Sequence, residues 1–224
     1  IVIRISPLPE LEKEEDQDIN DSVLKGKRSI LEFPHLVIGA VALFFYVGAE
    51  VIAGDTIIRY GISTGIDIER AKAFTSYTML SMVTGYILGI ILMPRFISQR
   101  KMLVLSAILG IVFAICTLLT TGITSVMFVA LFGLSNAIVW PAIWPLAIHN
   151  LGSFINKGSA LLIMAISGGA LIPLVWGKFA DLFGSREAYL IMIPCYLVIL
   201  FYAVYGYKLK YWKATQADQP GITR

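Results

Sequence analysis

Charge is scarce in this sequence: of 224 residues only 15% are Asp, Glu, Lys or Arg, against about 25% in soluble globular domains. With 57% hydrophobic residues and a mean hydropathy of +0.78, that shortage excludes an ordinary water-soluble core. Cysteine is nearly absent. Cys116 and Cys195 both lie inside apolar runs, so they read as small buried hydrophobes and not as a secreted disulfide framework. Histidine is equally rare. His35 and His149 each fall at an expected helix end, there is no H-E-x-x-H zinc pattern, and neither His is placed to serve Ser167 as a base. Asn156-Lys157-Gly158-Ser159 has Lys before Gly, the wrong order for a phosphate-cradling loop. The expectation is therefore no enzyme, no metal and no cofactor. A net charge of +3, with basic residues spread over loops, gives nucleic-acid binding no support.

What the chain does have is long apolar runs. A bilayer core about 30 Å thick needs roughly 20 mostly apolar residues per spanning helix. Six such helices are expected: about Pro34 to Ile52 and as far as Tyr60, Phe74 to Met93, Met102 to Thr121, Ser125 to Ile148, Gly158 to Gly177, and Ala188 to Tyr207. The fold class is all-α membrane protein. Residues 1–33 read as a polar linker, acidic from Glu10 to Asp18 and then basic at Lys25, Lys27 and Arg28; residues 208–224 read as a basic tail. The start Ile1-Val2-Ile3, without Met, reads as a piece of something longer. Lys and Arg number ten on the side of the two termini and five on the opposite side, which predicts both ends inside. The six runs show no evident internal repeat, and that absence decides nothing about the inverted repeats common in transporters.

Glu50 is the one charge in the apolar part of helix one, where a lipid-facing carboxylate costs several kcal/mol. It should face a polar cavity or a partner. Tyr46, four residues earlier, shares its face, so phenol and carboxylate can project together toward a substrate rich in hydroxyls. The bland alternative is an ion pair with Arg59. Helix four carries Asn136, Trp140 and Trp144 at intervals of four, an amide followed by two indoles on one face of a regular helix. Such a face complements the C–H surface and hydroxyl rim of a hexose, although an interfacial aromatic belt would use the same tryptophans. Pro141 and Pro145 each remove a helical donor, freeing the carbonyls of Ala137 and Pro141. In helix five, Pro173 frees the Gly169 carbonyl, and Gly168 and Gly169 allow either close packing or a hinge. Gly85-Tyr86-Ile87-Leu88-Gly89 in helix two has the same ambiguity.

Several of these segments resemble one family. Phe45-Tyr46-Val47-Gly48-Ala49-Glu50, Ile58-Arg59-Tyr60, Trp140-Pro141-Ala142-Ile143, His149-Asn150-Leu151-Gly152, Gly158-Ser159-Ala160 and Ser167-Gly168-Gly169-Ala170 together resemble the C-terminal half of the fucose/galactose/glucose:proton symporters of the major facilitator superfamily. The similarity covers about Pro34 to Tyr207. It implies helices seven to twelve of a twelve-helix inner-membrane carrier, partnered by an N-terminal six-helix half and the lipid bilayer, moving a hexose with protons. It implies that Asn136 and Trp140 approach the sugar cavity; together with the residue readings above, Glu50, Tyr46, Asn136, Trp140 and Trp144 are the expected sugar-binding residues, and Pro141, Pro145, Pro173, Gly168 and Gly169 the expected hinges. Asn150 would lie at the inner helix end. Fucose carriers resemble this helix with Gln at the position of Glu50, whereas Glu follows the glucose/galactose pattern. Two departures limit the carry-over: the family's coupling carboxylates belong to the other half, and Pro94 to Lys101 lacks the Asp-Arg-x-Gly core of the gating loop. A transporter-like sensor or assembly subunit without turnover, and a carrier of another small polar solute, are the alternatives.

Overall fold

The computed structural model describes residues 29–93 and 96–209. Six of its helices are long and apolar enough to cross a membrane: α1 (Pro34–Ser63), α2 (Ile68–Leu92), α3 (Gln99–Leu119), α4 (Gly122–Ile148), α5 (Gly152–Phe183) and α6 (Glu187–Lys208). They match the six expected runs in order, and the described residues contain no strand. The linker before Ser29, positions 94 and 95, and the tail from position 210 lie outside the described residues.

Helix limits differ from expectation where polar residues extend a helix beyond its apolar stretch. α1 continues past Ile52 through Asp55 and Arg59 to Ser63. Its 30 residues, about 45 Å at 1.5 Å per residue, exceed the apolar thickness of a bilayer, so its last turns can reach interfacial water. Glu50 is therefore near the middle of the helix and is not its sole charge. α2 begins at Ile68 instead of Phe74, because the Asp67 carboxylate accepts the Glu69 N–H at 3.0 Å and caps the first turn. Arg70 and Lys72 thus lie on the helix, where Lys72 pairs with Glu69 at 2.8 Å. α3 and α4 are joined by a tight turn in which Gly122 takes a φ of 62°.

Both helices expected to bend are interrupted. α4 consists of Gly122–Asn136 and Val139–Ile148, with a turn at Ala137 and Ile138. The break falls where Pro141 leaves the Ala137 carbonyl without a donor and crowds it. Pro145 sits inside the second piece, and the Pro141 carbonyl it leaves free accepts the Gln99 side-chain amide at 2.8 Å. α5 is interrupted at Ile166 and Ser167, upstream of Pro173, which lies within the continuous piece Gly168–Phe183. There the N–H groups of Ile166 and Ser167 turn back three residues, to the carbonyls of Ile163 and Met164, the tighter 3-10 pattern.

α1 packs against α2, α4, α5 and α6. α1 and α4 are the most buried spans, and α2 and α5 the least. Missing side chains set these contacts. A Cβ at Gly168 would strike the Phe44 carbonyl oxygen of α1, and one at Gly48 would lie 2.5 Å from the Ile172 side chain of α5. A Cβ at Gly133 would strike the Thr78 carbonyl of α2, and one at Gly85 would lie 2.6 Å from the Cβ of Ala137, so α2 fits against the break in α4. Ser81 donates across the same contact to the Ala130 carbonyl at 2.6 Å. Inside the bundle the Phe132 ring stacks on Tyr189 and Tyr196, with centroids 6.4 and 5.8 Å away, and Gly110 makes room for the Tyr196 ring. Cys195 is buried, Cys116 half-buried, and both are free thiols.

The described ends of the chain meet at one end of the bundle, where the His35 N–H donates to the Leu209 carbonyl at 3.2 Å. At this terminal end His35 Nε2 also donates to the His149 carbonyl at 3.0 Å. Asn150, next along, adopts a φ of 59° just past the end of α4. At the distal end Arg59 pairs with Asp181 at 2.6 Å, and the Tyr60 hydroxyl bonds that of Ser125 at 2.5 Å.

Candidate functional site

Tyr46 and Glu50 stand four residues apart on α1, so the Tyr46 phenol lies on the same helical face as the Glu50 carboxylate. Tyr46 is buried, whereas Glu50 is half-buried at the edge of the bundle. Two further phenols, Tyr86 of α2 and Tyr196 of α6, lie within electrostatic reach of the carboxylate. The pairing of Glu50 with Arg59 does not form, because Arg59 is held by Asp181 and lies over the Trp176 ring at 5.8 Å. Among the described residues Glu50 has no cationic partner within ion-pair distance. A mid-helix carboxylate without a cation keeps acceptor capacity for another donor.

Trp140 extends this group. Its ring lies 6.5 Å from that of Tyr46 and 5.7 Å from that of Trp144, with the two indoles only 19° from parallel. Both tryptophans are half-buried and follow the break in α4. Phenol, indole and indole therefore form a row leading away from Glu50, an apolar platform beside a hydrogen-bonding carboxylate.

Asn136 points elsewhere. It is the last residue of the first piece of α4 and is 1% exposed. Its Oδ1 accepts the Tyr196 hydroxyl of α6 at 2.8 Å, and that hydroxyl also lies 3.1 Å from the Ser135 hydroxyl. Its Nδ2 has no partner among the described residues. Asn136 contacts Tyr196 of α6, whereas the Trp140 ring lies by Tyr46 of α1. The structure thus brings together Tyr46, Trp140 and Trp144 near Glu50, and links Asn136 to Tyr196.

Of the residues expected to hinge, Pro141 and Pro145 are exposed on the second piece of α4, Pro173 is half-buried in α5, and Gly168 and Gly169 lie against α1. Sequence reasoning missed Tyr196, Tyr86 and Gln99. Tyr189 and Tyr196 lie seven residues apart on one face of α6, which was the available signal for a buried phenol row.

No protein-family model matches the chain. The glucose/galactose transporter of Brucella abortus biovar 1 (strain 9-941) is 35% identical over 211 residues, 93% of this chain and 50% of that protein. The L-fucose-proton symporter of Escherichia coli (strain K12) is 27% identical over 207 residues, 91% of this chain and 47% of that protein. A crystal structure of the E. coli fucose:proton symporter matches with a TM-score of 0.76 at 26% identity, over 90% of this chain and 50% of that one. The chain spans about half the length of the curated relatives it matches. In sequence the chain is similar to proteins named as glucose/galactose transporters and L-fucose-proton symporters, and its six described spans match one half of a major facilitator superfamily fold.

Proposed function

We propose that this chain is the C-terminal half of a proton-coupled hexose carrier, with glucose or galactose as its substrate. The observation that carries this reading is the mid-helix carboxylate of Glu50, which has no ion-pair partner among the described residues, beside the row of Tyr46, Trp140 and Trp144. Glu50 accepts hydrogen bonds from sugar hydroxyls, and Tyr46 supports it. Trp140 stacks on the C–H face of the ring, with Trp144 extending the platform. Asn136, enclosed behind Tyr196, meets a sugar only when α4 and α6 part.

A carrier of this kind needs a second six-helix bundle to close the sugar path. The least buried spans, α2 and α5, offer that bundle an apolar face, and a groove of about 460 Å³ lies between the first half of α1 and the stretch of α5 from Leu161 to Ser167. The prolines and the interruptions in α4 and α5 supply the bending that alternating access requires. The Lys and Arg bias supports both ends of this chain in the cytoplasm, and an inner membrane is the proposed location. Protons are the proposed coupling ion because a relative at 27% identity is named a proton symporter.

Glu50→Gln in the full-length carrier tests the site. Hydrogen bonds to a charged group contribute about 1.5–3 kcal/mol, so glucose affinity should fall roughly tenfold to a hundredfold. Unchanged uptake, at wild-type surface expression and sugar affinity, would remove Glu50 from the site.

A further inference from the structure

We propose that Gln99 is a positioning residue for the indole platform: its side-chain amide replaces the backbone donor missing at Pro145 and thereby fixes the piece of α4 that carries Trp140 and Trp144. The proposal rests on the carrier reading above and deepens it.

A helical residue at position 145 would donate its N–H to the carbonyl of residue 141, and proline has no N–H to give. A carbonyl freed in this way takes a donor from a side chain, water or another helix. Here the donor comes from 42 residues away in sequence, as Gln99 Nε2 reaches the Pro141 carbonyl at 2.8 Å. Gln99 is the first residue of α3, and its backbone is held by the start of that helix. The next residue makes a parallel link to a different span. Arg100 Nε donates to the Ala203 carbonyl in the last turn of α6 at 3.3 Å, and its guanidinium lies 5.0 Å from the centre of the Tyr207 ring. Two successive side chains thus anchor the first turn of α3 to α4 and to α6.

The Gln99 contact falls at the platform itself. Pro141 is peptide-bonded to Trp140 and Pro145 to Trp144, so the carbonyl held by Gln99 and the proline that frees it each adjoin one of the two stacked indoles. The turn at Ala137 and Ile138, both still in right-handed helical geometry, interrupts α4 just ahead of this piece. The bond from Gln99 engages the backbone of the piece directly. A change in the rotation of the piece turns Trp140 relative to Tyr46 and Glu50.

The test is a double-mutant cycle in the purified full-length carrier, with glucose and galactose affinity measured calorimetrically for wild type, Gln99→Leu, Pro145→Ala and the double variant. The alanine of Pro145→Ala supplies the missing N–H, so whatever that substitution does alone, it makes Gln99 dispensable. Gln99→Leu should weaken affinity about threefold to tenfold in the wild-type background, the range of one net hydrogen bond, and should have no further effect beside Pro145→Ala. An equal loss in both backgrounds, or no loss in the wild-type background, overturns the proposal. Gln99→Asn, too short to reach, serves the same cycle should the Leu variant not fold. If the wild-type carrier binds neither sugar, the carrier reading fails, and the cycle is read from acrylamide quenching of the fluorescence that Trp140→Phe with Trp144→Phe removes. Gln99→Leu should then raise that quenching only where Pro145 is present; a rise in both backgrounds, or in neither, overturns it.

Discussion

Asn136 places a whole amide inside the bundle, and among the described residues only its oxygen finds a partner, the Tyr196 hydroxyl. Removing that hydroxyl leaves a buried acceptor unserved, which costs about 1–3 kcal/mol, whereas removing both polar groups together costs far less. Tyr196→Phe should therefore lower the thermal midpoint of the detergent-solubilised carrier, and Tyr196→Phe with Asn136→Leu should recover most of the loss. A wild-type midpoint for Tyr196→Phe would contradict the role given to this bond. The pairing was not legible in the sequence, because its partners lie 60 residues apart on α4 and α6. Tyr46 with Glu50 was legible, since both sit on one uninterrupted helix and a spacing of four fixes their common face. Asn136 and Trp140 have the same spacing, but their contacts run to different helices, Tyr196 of α6 and Tyr46 of α1, which the sequence did not indicate.

Helices α1 and α5 lie backbone to backbone at Gly168, and the tightness of that contact is specific to it. Gly177, on the same helix, has nothing within 4 Å of where its Cβ would stand. Gly168→Leu should destabilise the carrier by about 1–3 kcal/mol or more through overpacking. Gly177→Ala should leave it unchanged or raise its midpoint slightly, by relieving about 1 kcal/mol of glycine's helical penalty. Equal midpoints for the two variants would show that α1 and α5 do not rely on the close approach at Gly168. At this scale the sequence was most informative, because an apolar run of bilayer length has few other uses, and all six spans follow from length and hydropathy. The break in α4 was legible through Pro141. The break in α5 was displaced from Pro173 to Ile166 and Ser167, where Gly168 and Gly169 press against α1 and local sequence does not specify how the chain bends. Helix ends were legible only to within a few residues, since polar residues such as Asp67 and Arg59 can cap or extend a helix as readily as leave it.

Across the whole molecule, the half-bundle keeps its most polar interior group at the edge of α1 and leaves α2 and α5 with broad apolar faces. Lipid suits part of that surface. A second bundle is proposed for the rest, facing Glu50 and the indole row, and alternate opening of the two ends would follow from bending at the interrupted helices. The most direct test is counterflow of labelled glucose, galactose and fucose in proteoliposomes containing the full-length parent, with and without a pH gradient. The account predicts exchange of glucose or galactose that a proton gradient accelerates. No exchange of any of the three sugars by protein shown to be folded would contradict it, and would point to a sensor without turnover or to a carrier of a different polar solute.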